Sequence, residues 1–228
     1  MTKTKKIVLL IVEGIFDMVS LESIVPKLIL YNDVRFAITN GDITSDSNVT
    51  VQNVKERLRK IIQKFLNQYR LNQSDLLRIA HIVDTDGAYI SEDNIVNNPY
   101  ERVLYLPDRI ETADVQGLIR RNNHKTKLLN MLVSTPEILR KRYDVYFFSR
   151  NIEHVLHNRD EELSNDEKMQ LAEVISDRFC NSPEKFLEFI SEPSIAVPGE
   201  YDETWDFIRE GTNSLHRYCN FHVFFDRN

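Results

Sequence analysis

The feature that most constrains the fold is a run of six β-branched and leucine residues near the start of the chain, Ile7–Val12. A strand that is apolar at every position, and not only at alternate ones, is typical of a parallel sheet covered on both faces. Helical patterns separate this run from later apolar segments, which favours βαβ units and an α/β fold with a mainly parallel sheet. The later strands are predicted over residues 34–39, 79–83, 102–106 and 145–148.

The segments between these strands differ in how strongly they predict helices. Residues 51–70 carry one apolar stripe with basic residues on the remaining surface, which makes them the clearest helix of the chain. Apolar residues at helical spacing also predict a helix over residues 17–30. Residues 109–127 are polar and basic, and we expect this region to be rich in loops.

After residue 157 the pattern becomes mostly helical. Ser164 and Glu167 have the spacing of a capping box, and Pro183 stands where a helix commonly begins. The chain is therefore predicted to consist of an α/β catalytic domain, residues 1–157, and an acidic, mostly helical extension, residues 158–228. Within the extension we expect helices over residues 164–180, from Ser182 onward and over 201–214, and a strand over 218–225.

Charge is distributed unevenly along the chain. The net charge is −6, so the molecule as a whole is not expected to be attracted to nucleic acid or to an anionic membrane. Residues 1–150, however, carry 22 Lys and Arg against 18 Asp and Glu, whereas residues 151–228 carry 7 against 17. This asymmetry predicts two working surfaces of opposite charge.

Cysteine content and hydropathy indicate where the protein works. Two cysteines rule out a disulfide scaffold and fit the reducing cytoplasm. No apolar run approaches the roughly 20 residues that span a bilayer. We therefore expect a cytoplasmic protein with no membrane partner.

Two short acidic motifs follow predicted buried strands. Glu13-Gly-x-x-Asp17 comes after the first strand, and Asp84-Thr-Asp86-Gly87 comes after the third. In open α/β sheets, ligands bind outside the carboxyl ends of the strands, where the strand order reverses. If the first and third strands are neighbours, with the second outside the first, Glu13, Asp84 and Asp86 converge at one edge of the sheet.

Carboxylates gathered in this way need a compensating cation. Like charges raise one another's pKa, so several carboxylates cannot stay ionised side by side without compensation. Mg²⁺ prefers oxygen ligands and is usually held by one or two carboxylates together with substrate phosphates. The motifs therefore predict a Mg²⁺ site for phosphate-ester chemistry, in which Mn²⁺ can substitute.

Residues 11–17 (Ile-Val-Glu-Gly-Ile-Phe-Asp) and 82–87 (Ile-Val-Asp-Thr-Asp-Gly) together resemble the TOPRIM domain. This domain is shared by type IA and type II topoisomerases, bacterial primases and the overcoming-lysogenization-defect family of nucleases. The resemblance implies a Rossmann-like sheet, a catalytic glutamate at Glu13 and metal-binding aspartates at Asp84 and Asp86. It covers residues 6–90 most clearly.

A second segment, residues 148–153 (Phe-Ser-Arg-Asn-Ile-Glu), is similar to one found in overcoming-lysogenization-defect and phage-defence TOPRIM proteins. It implies that Glu153 is a further metal ligand, and that Asp17 completes the catalytic group with Glu13, Asp84 and Asp86. The chain has neither the strand-passage domain of a topoisomerase nor the zinc module of a primase. A TOPRIM nuclease without its own ATPase is what remains.

The resemblance thus implies a Mg²⁺-dependent endonuclease that hydrolyses phosphodiesters in DNA or RNA. An anti-phage defence effector that acts with an ATPase partner is one such arrangement, and a homo-oligomer is compatible with it. Basic residues between the fourth and fifth strands are the expected contacts to the nucleic acid: Arg120, Arg121, Lys125 and Lys127.

Other interpretations of the same residues stay open. Asp17 has the position of a helix cap, and Glu153 that of a solvated glutamate in the first turn of a helix. Asp84 and Asp86 also resemble the nucleophile motif of haloacid-dehalogenase-type phosphatases, although that motif normally follows the first strand. A regulatory or adaptor module, bound to its partner through the acidic extension, is the non-enzymatic alternative.

Overall fold

The computed structural model describes residues 6–39, 41–99 and 102–227. Strands and helices alternate through the first 157 residues, and helices dominate after them. The strands are β1 (Ile7–Val12), β2 (Asp33–Ile38), β3 (Leu76–Asp84), β4 (Ile95–Asn97), β5 (Leu104–Tyr105), β6 (Ile110–Thr112), β7 (Glu137–Ile138) and β8 (Lys141–Phe148). The helices are α1 (Ile15–Glu22), α2 (Val25–Leu28), α3 (Val54–Gln68), α4 (Val115–Val133), α5 (Ile152–His157), α6 (Asn165–Phe179), α7 (Pro183–Ile190), α8 (Tyr201–Arg209) and α9 (Val223–Asp226).

The main sheet has five strands in the order β2-β1-β3-β8-β7. The four long strands run parallel, and only the short β7 runs antiparallel, beside the start of β8. All six residues of β1 are buried, as expected for a strand covered on both faces. The predicted α/β class and the predicted position of β1 between β2 and β3 are confirmed. The carboxyl ends of β1, β2, β3 and β8 consequently meet at one edge.

The strand predicted at residues 102–106 is confirmed only in part, because it is shorter and does not belong to the main sheet. Only Leu104 and Tyr105 form a strand, β5, and it pairs antiparallel with β6 in a separate sheet of order β4-β6-β5. Both side chains are half-buried, so this segment does not have the fully covered surroundings of a central strand. A small apolar cluster that includes Ile110 and Leu118 supports this second sheet beside the main one.

The helix predicted over residues 17–30 is divided into α1 and α2. Pro26 lies near the start of α2, where its missing N–H breaks no helical hydrogen bond. In the middle of one continuous helix the same proline would remove such a bond and clash with the preceding turn. α3 is confirmed as the long amphipathic helix, with ends two or three residues inside the predicted ones.

The prediction of a loop-rich region extending to residue 127 is wrong, because α4 begins at residue 115. Asp114 caps this helix, with its Oδ1 accepting a hydrogen bond from the backbone N–H of Gly117 at 2.8 Å. Two of the buried positions of α4 are Asn122 and Lys125, which are polar. Those two residues interrupt the apolar stripe, so the sequence pattern hid the helix.

Helices in the C-terminal part follow the sequence pattern more closely. Ser164 caps α6, and its N–H donates to the Glu167 carboxylate at 2.9 Å, which confirms the capping box. α8 ends earlier than predicted, at Arg209, two residues before Gly211 with its left-handed φ of +54°. The strand predicted over residues 218–225 is wrong. In that segment Cys219 makes two single β-bridges, and the short α9 follows.

The C-terminal part packs against β8 and shares one hydrophobic core with the sheet. Trp205 is fully buried, its indole N–H donates to the carbonyl of Val145 at 3.2 Å, and its ring lies edge-on to Phe147. The backbone N–H of Phe147 donates to Asn220 Oδ1 at 2.8 Å. Because β7 pairs only with the first residues of β8, these contacts cover the remainder of that strand's edge. In the described part of the chain, no helix has the length and apolar character needed to cross a lipid bilayer.

A shortened chain that ends at residue 157 is expected to be insoluble or to unfold without a cooperative transition. Removing residues 158–228 leaves buried polar groups of β8 without partners and exposes Phe147 and Phe148 to water. Circular dichroism and size-exclusion chromatography of residues 1–157 beside the full chain make the comparison. A monomeric, cooperatively folded shortened chain would establish the predicted domain boundary instead.

Candidate functional site

Two acidic residues from neighbouring parallel strands come together at the carboxyl edge of the main sheet. Glu13 directly follows β1, and Asp84 is the last residue of β3. Glu13 Oε1 accepts a hydrogen bond from the backbone N–H of Asp84 at 3.2 Å. The fold therefore places side by side two carboxyl groups that lie 71 residues apart in the chain.

Burial is the main reason why the pKa of Glu13 and that of Asp84 both lie well above the usual range. The charge of Lys125 opposes this effect on both groups. Neighbouring negative charges strengthen it: Asp86 acts on both carboxyl groups, and Asp84 is also raised by Glu13. Removing water and adding like charges both disfavour ionisation. One ammonium group is thus not enough to compensate the carboxylates at this edge.

The backbone after β3 is held in an uncommon conformation. Asp86 has a φ of +44°, and Arg150, which follows β8, has a φ of +58°. The N–H of Asp86 donates to the carbonyl of Arg150 at 3.0 Å, and the N–H of Arg150 donates to Thr85 Oγ1 at 2.8 Å. Left-handed conformations cost energy for residues other than glycine and persist where the surroundings enforce them, often at functional sites. This reciprocal pairing sets the direction of the Asp86 side chain.

Replacing Gly87 with Ala is expected to lower the free energy of unfolding by about 1–3 kcal/mol and to move the Asp86 loop. Gly87 has a φ of +81°, and a Cβ there would lie 2.6 Å from Ile110 Cδ1. The matched control is Gly14→Ala, because Gly14 has an extended backbone and its Cβ would meet only Asp17 Oδ2, at 3.9 Å. Urea unfolding of both variants gives the comparison. Equal stability of the two would show that the Gly87 turn is not under this constraint.

Lys125 lies at the centre of the acidic residues, with a side chain that is 0% exposed. Its Nζ donates to Asp42 Oδ2 at 2.6 Å and to Asp86 Oδ2 at 2.9 Å. Burial would lower the pKa of Lys125, but the charges of Asp86, Glu13 and Asp42 outweigh it and hold that pKa above its usual range. Burial likewise favours a higher pKa for Asp42, yet the charge and hydrogen bond of Lys125 hold it well below its usual value.

The four basic residues predicted to contact nucleic acid all lie on α4, and they do not share one face. Arg121 and Lys125, one helical turn apart, point inward: Arg121 Nη2 donates to the carbonyl of Asp86 at 2.6 Å. Arg120 and Lys127 are exposed on the outer part of the helix. The Lys125 ammonium is buried within its ion pairs with Asp42 and Asp86.

Asp17 and Glu153 lie in a second acidic group at the same edge. Asp17 is not the N-cap, because α1 begins at Ile15 with Gly14 as its N-cap; Asp17 lies in the first turn, and its Oδ2 accepts a hydrogen bond from the backbone N–H of Gly14 at 2.9 Å. Burial, followed by the charge of Glu153, raises the pKa of Asp17 to about 6, although the Gly14 hydrogen bond opposes the shift. Glu153 is buried, with Lys168 Nζ at 3.8 Å from its Oε1. The alternative that Glu153 is a solvated surface residue is therefore wrong.

A cavity of about 440 Å³ opens beside Asp86. Tyr105, Arg121 and Arg150 line one part of it. Arg150 Nη1 donates to Asp160 Oδ1 at 2.7 Å, and its guanidinium lies 4.9 Å from the centre of the Tyr105 ring. The Asp160 carboxylate thus forms an ion pair with Arg150 beside the acidic edge of the sheet.

Sequence analysis missed two residues of this arrangement, Asp42 and Arg150. Asp42 comes four residues after the carboxyl end of β2. Arg150 comes two residues after β8. The rule that sites form at the carboxyl ends of parallel strands could have found both.

Within residues 6–39, 41–99 and 102–227, no three His, Cys, Asp or Glu side chains are placed closely enough to hold a metal ion as they stand. Part of the reason is that the ammonium of Lys125 lies between the carboxylates of Asp42 and Asp86 and pairs with both. Comparisons with protein-family models, curated proteins and solved structures found no match. The chemistry of the site therefore has to be argued from its own residues.

Proposed function

We propose that the protein is a metal-dependent nuclease of the TOPRIM type, which hydrolyses phosphodiesters of nucleic acid. The observation that carries the proposal is the meeting of Glu13 and Asp84 at the ends of β1 and β3, with Asp86 two residues farther on. The strand order reverses between β1 and β3, which is where open α/β sheets bind their ligands. Oxygen ligands at this position suit a hard divalent cation.

The carboxyl groups at this edge fit Mg²⁺ because their negative charge is incompletely balanced. Lys125 opposes but does not cancel the rise in the pKa of Glu13 and of Asp84. Glu13, Asp84 and Asp86 would hold the ion once their side chains close around it. When bound, the metal polarises a phosphoryl oxygen and lowers the pKa of a water molecule. Mn²⁺ can take the same ligands.

The remaining residues of the site prepare it for an anionic substrate. Lys125 holds the Asp86 carboxylate in place, and Arg121 holds the Asp86 carbonyl. Arg121 and Arg150 line the cavity beside Asp86 together with acidic residues, among them Glu153 and Asp160, so a phosphodiester would meet the Arg150 guanidinium by displacing the Asp160 carboxylate from it. The exposed Arg120 is then available to a neighbouring phosphate. The roles of Asp17 and Glu153 as further acids of the site, a phage-defence role, an ATPase partner and a homo-oligomer stay predictions.

Cleavage by the purified full chain tests the proposal. End-labelled single-stranded and double-stranded DNA and RNA are incubated with Mg²⁺ or Mn²⁺, and the products are separated on denaturing gels. We expect fragments that disappear when the metal is chelated. Failure to cut any of these substrates, with either metal, would defeat the enzymatic proposal.

Metal binding is expected to strengthen as the pH rises above the ordinary carboxyl pKa. Metal ligands must be deprotonated, and the raised pKa values of Glu13 and Asp84 mean that protons compete with the metal at a higher pH than they would at ordinary carboxylates. For the same reason the contribution of these two groups to the stability of the metal-free protein is fully present below the ordinary carboxyl pKa and is lost as the pH rises through their folded-state values. Titration calorimetry in buffers of different ionisation enthalpy measures the protons released. Binding without proton release would contradict the assignment.

A further inference from the structure

A groove runs along the outer edge of β2, away from the pairing with β1. Among the described residues, β2 lies at the end of the main sheet and is paired on one side only. The groove has a volume of about 560 Å³, and Met18 of α1 and the basic face of α3 flank it. This is the size of a small-molecule cleft. It fits a few unstacked nucleotides better than a duplex.

The charge of this groove is positive. Arg57, Lys60 and Lys64 line it at successive turns of α3, and no acidic residue lines it in the described part of the chain. Arg57 Nη2 lies 3.7 Å from Asp46 Oδ2, whereas Lys60 and Lys64 are exposed to solvent. A chain whose net charge is −6 thus presents a local cationic track.

Aromatic side chains lie beside these cations. Tyr69 stands at the end of the groove with 51% of its surface exposed, and the half-buried Phe36 of β2 lines it, whereas Phe65 of α3 is buried, with 5% exposed. The rings of Phe65 and Tyr69 are 4.8 Å apart. Basic grooves that carry aromatic faces bind single-stranded nucleic acid, because the cations follow the backbone while the bases stack on the rings.

The groove leads to the acidic edge of the sheet. Thr39 lines the groove, and its hydroxyl donates to the carbonyl of Gly41 at 2.6 Å, with the carbonyl of Glu13 at 3.2 Å from the same oxygen. α3 starts near this end, where Arg57 pairs with Asp46, and continues along β2 away from it. A strand lying in the groove would therefore have one end beside Glu13.

We infer that this groove binds the single-stranded nucleic acid that flanks the phosphodiester to be cleaved. The inference rests on the proposed nuclease function, which it extends by naming the form of the substrate and its path. The positive lining and the continuity with Glu13 favour a nucleic-acid strand over a peptide added to the edge of β2. DNA and RNA share the phosphodiester backbone that the groove recognises.

Binding in the absence of cleavage tests the inference. The probes are fluorescent single strands of about 12 nucleotides, one of DNA and one of RNA, and the duplex of the same sequence, with metal chelated throughout. Fluorescence anisotropy of the full-length protein over a salt series gives the affinity and its salt dependence. We expect a single strand to bind more tightly than the duplex, and the stronger of DNA and RNA names the substrate.

Charge reversal at two groove lysines, Lys60→Glu with Lys64→Glu, is expected to weaken single-strand binding at least 10-fold. The slope of log affinity against log salt should become shallower by about 1–2, because two phosphate contacts are lost. The matched control, Lys55→Glu with Arg59→Glu, makes the same charge change on α3 outside the groove and should stay within about 2-fold. Tyr69→Ala should weaken binding about 5-fold or more through lost stacking.

Several results would overturn the inference. These are equal weakening by both double variants, no weakening by the groove variant, tighter binding of the duplex, or no binding of any probe. A change of oligomeric state in the groove variant, seen by sedimentation, would assign the groove to a second copy of the chain. Cleavage is assayed separately. Binding through the groove without cleavage would defeat only the nuclease proposal, whereas cleavage with groove-independent binding would defeat only this inference.

Discussion

Replacing Asp84 with Asn is expected to abolish metal-dependent cleavage and, without metal, to raise the melting temperature. The amide keeps the size of the side chain, and the backbone N–H that donates to Glu13 is unchanged. The substitution removes one of two adjacent, partly buried carboxyl groups that can ionise. The folded state then no longer bears the repulsion between Asp84 and Glu13 or the cost of removing water from the Asp84 charge. The same change removes a ligand of the proposed metal, which should reduce the cleavage rate by roughly 10³-fold or more.

Both effects can be measured on one preparation. Cleavage rates are compared at saturating Mg²⁺, and melting is followed by circular dichroism in the presence of a chelator. A stabilisation of about 1 kcal/mol corresponds to roughly 2–4 °C in a chain of this size. Addition of Mg²⁺ should raise the melting temperature of the unaltered protein and leave that of Asp84→Asn almost unchanged.

The matched control is Asp202→Asn, which makes the same chemical change at an exposed position of α8, more than 100 residues after Asp84 in the chain. It should leave cleavage unchanged and stability within roughly 0.5 kcal/mol. If Asp84→Asn still cleaves, Asp84 is not a metal ligand. If it melts at a lower temperature than the unaltered protein, the charge of Asp84 is balanced in the folded state, and the proposed need for a cation fails.

Replacing Lys125 with Met is expected to lower the free energy of unfolding by about 3–5 kcal/mol. Lys125 is fully buried and donates to both Asp42 and Asp86, so its removal leaves two carboxylates without their partner. Met has a similar length and fills much of the same space. The loss should therefore come mainly from charge and hydrogen bonding and not from a cavity.

Lys127→Met is the control, because it makes the same chemical change at an exposed position of the same helix. Urea unfolding gives the free energies of both variants. Adding Asp42→Asn to Lys125→Met should restore part of the lost stability, since it removes one of the unpaired carboxylates. Mg²⁺ should stabilise Lys125→Met more than the unaltered protein, because the ion supplies the missing positive charge.

A Lys125→Met variant as stable as Lys127→Met would contradict the structure at this point. It would mean that Asp42 and Asp86 are hydrated or protonated, and not paired in a buried cluster. A large loss of stability that Mg²⁺ does not reduce would retain the ion pairs but count against a metal at this edge.

Much of the fold could be predicted from apolar patterns alone. β1 is apolar at every position, and the largely apolar residues 79–83 and 145–148 predict parts of β3 and β8, which begin three and four residues earlier in the structure. The meeting of Glu13 and Asp84 followed from the same patterns, because both residues stand where such strands end. The membership of a TOPRIM family that these motifs suggest stays a prediction.

Other elements could not be predicted because their patterns depend on partners elsewhere in the chain. α4 places Asn122 and Lys125 toward the interior, and polar residues at such positions interrupt the apolar stripe by which helices are recognised. Residues 218–225 contain many aromatic residues and so favour a strand in isolation. Cys219 instead bridges two segments that are distant in the chain, at Phe148, the last residue of β8, and at Ala196, between α7 and α8.

The amino-acid order by itself determined where the acidic residues stand on the sheet, since burial patterns are local and reach only along one strand or helix. Tertiary structure alone decided which positive charge meets them. Lys125 is 83 residues from Asp42 and 39 from Asp86, and no local pattern connects them. The energy of a buried ion pair depends on distance and desolvation in three dimensions, so this choice exists only once the helices have packed on the sheet.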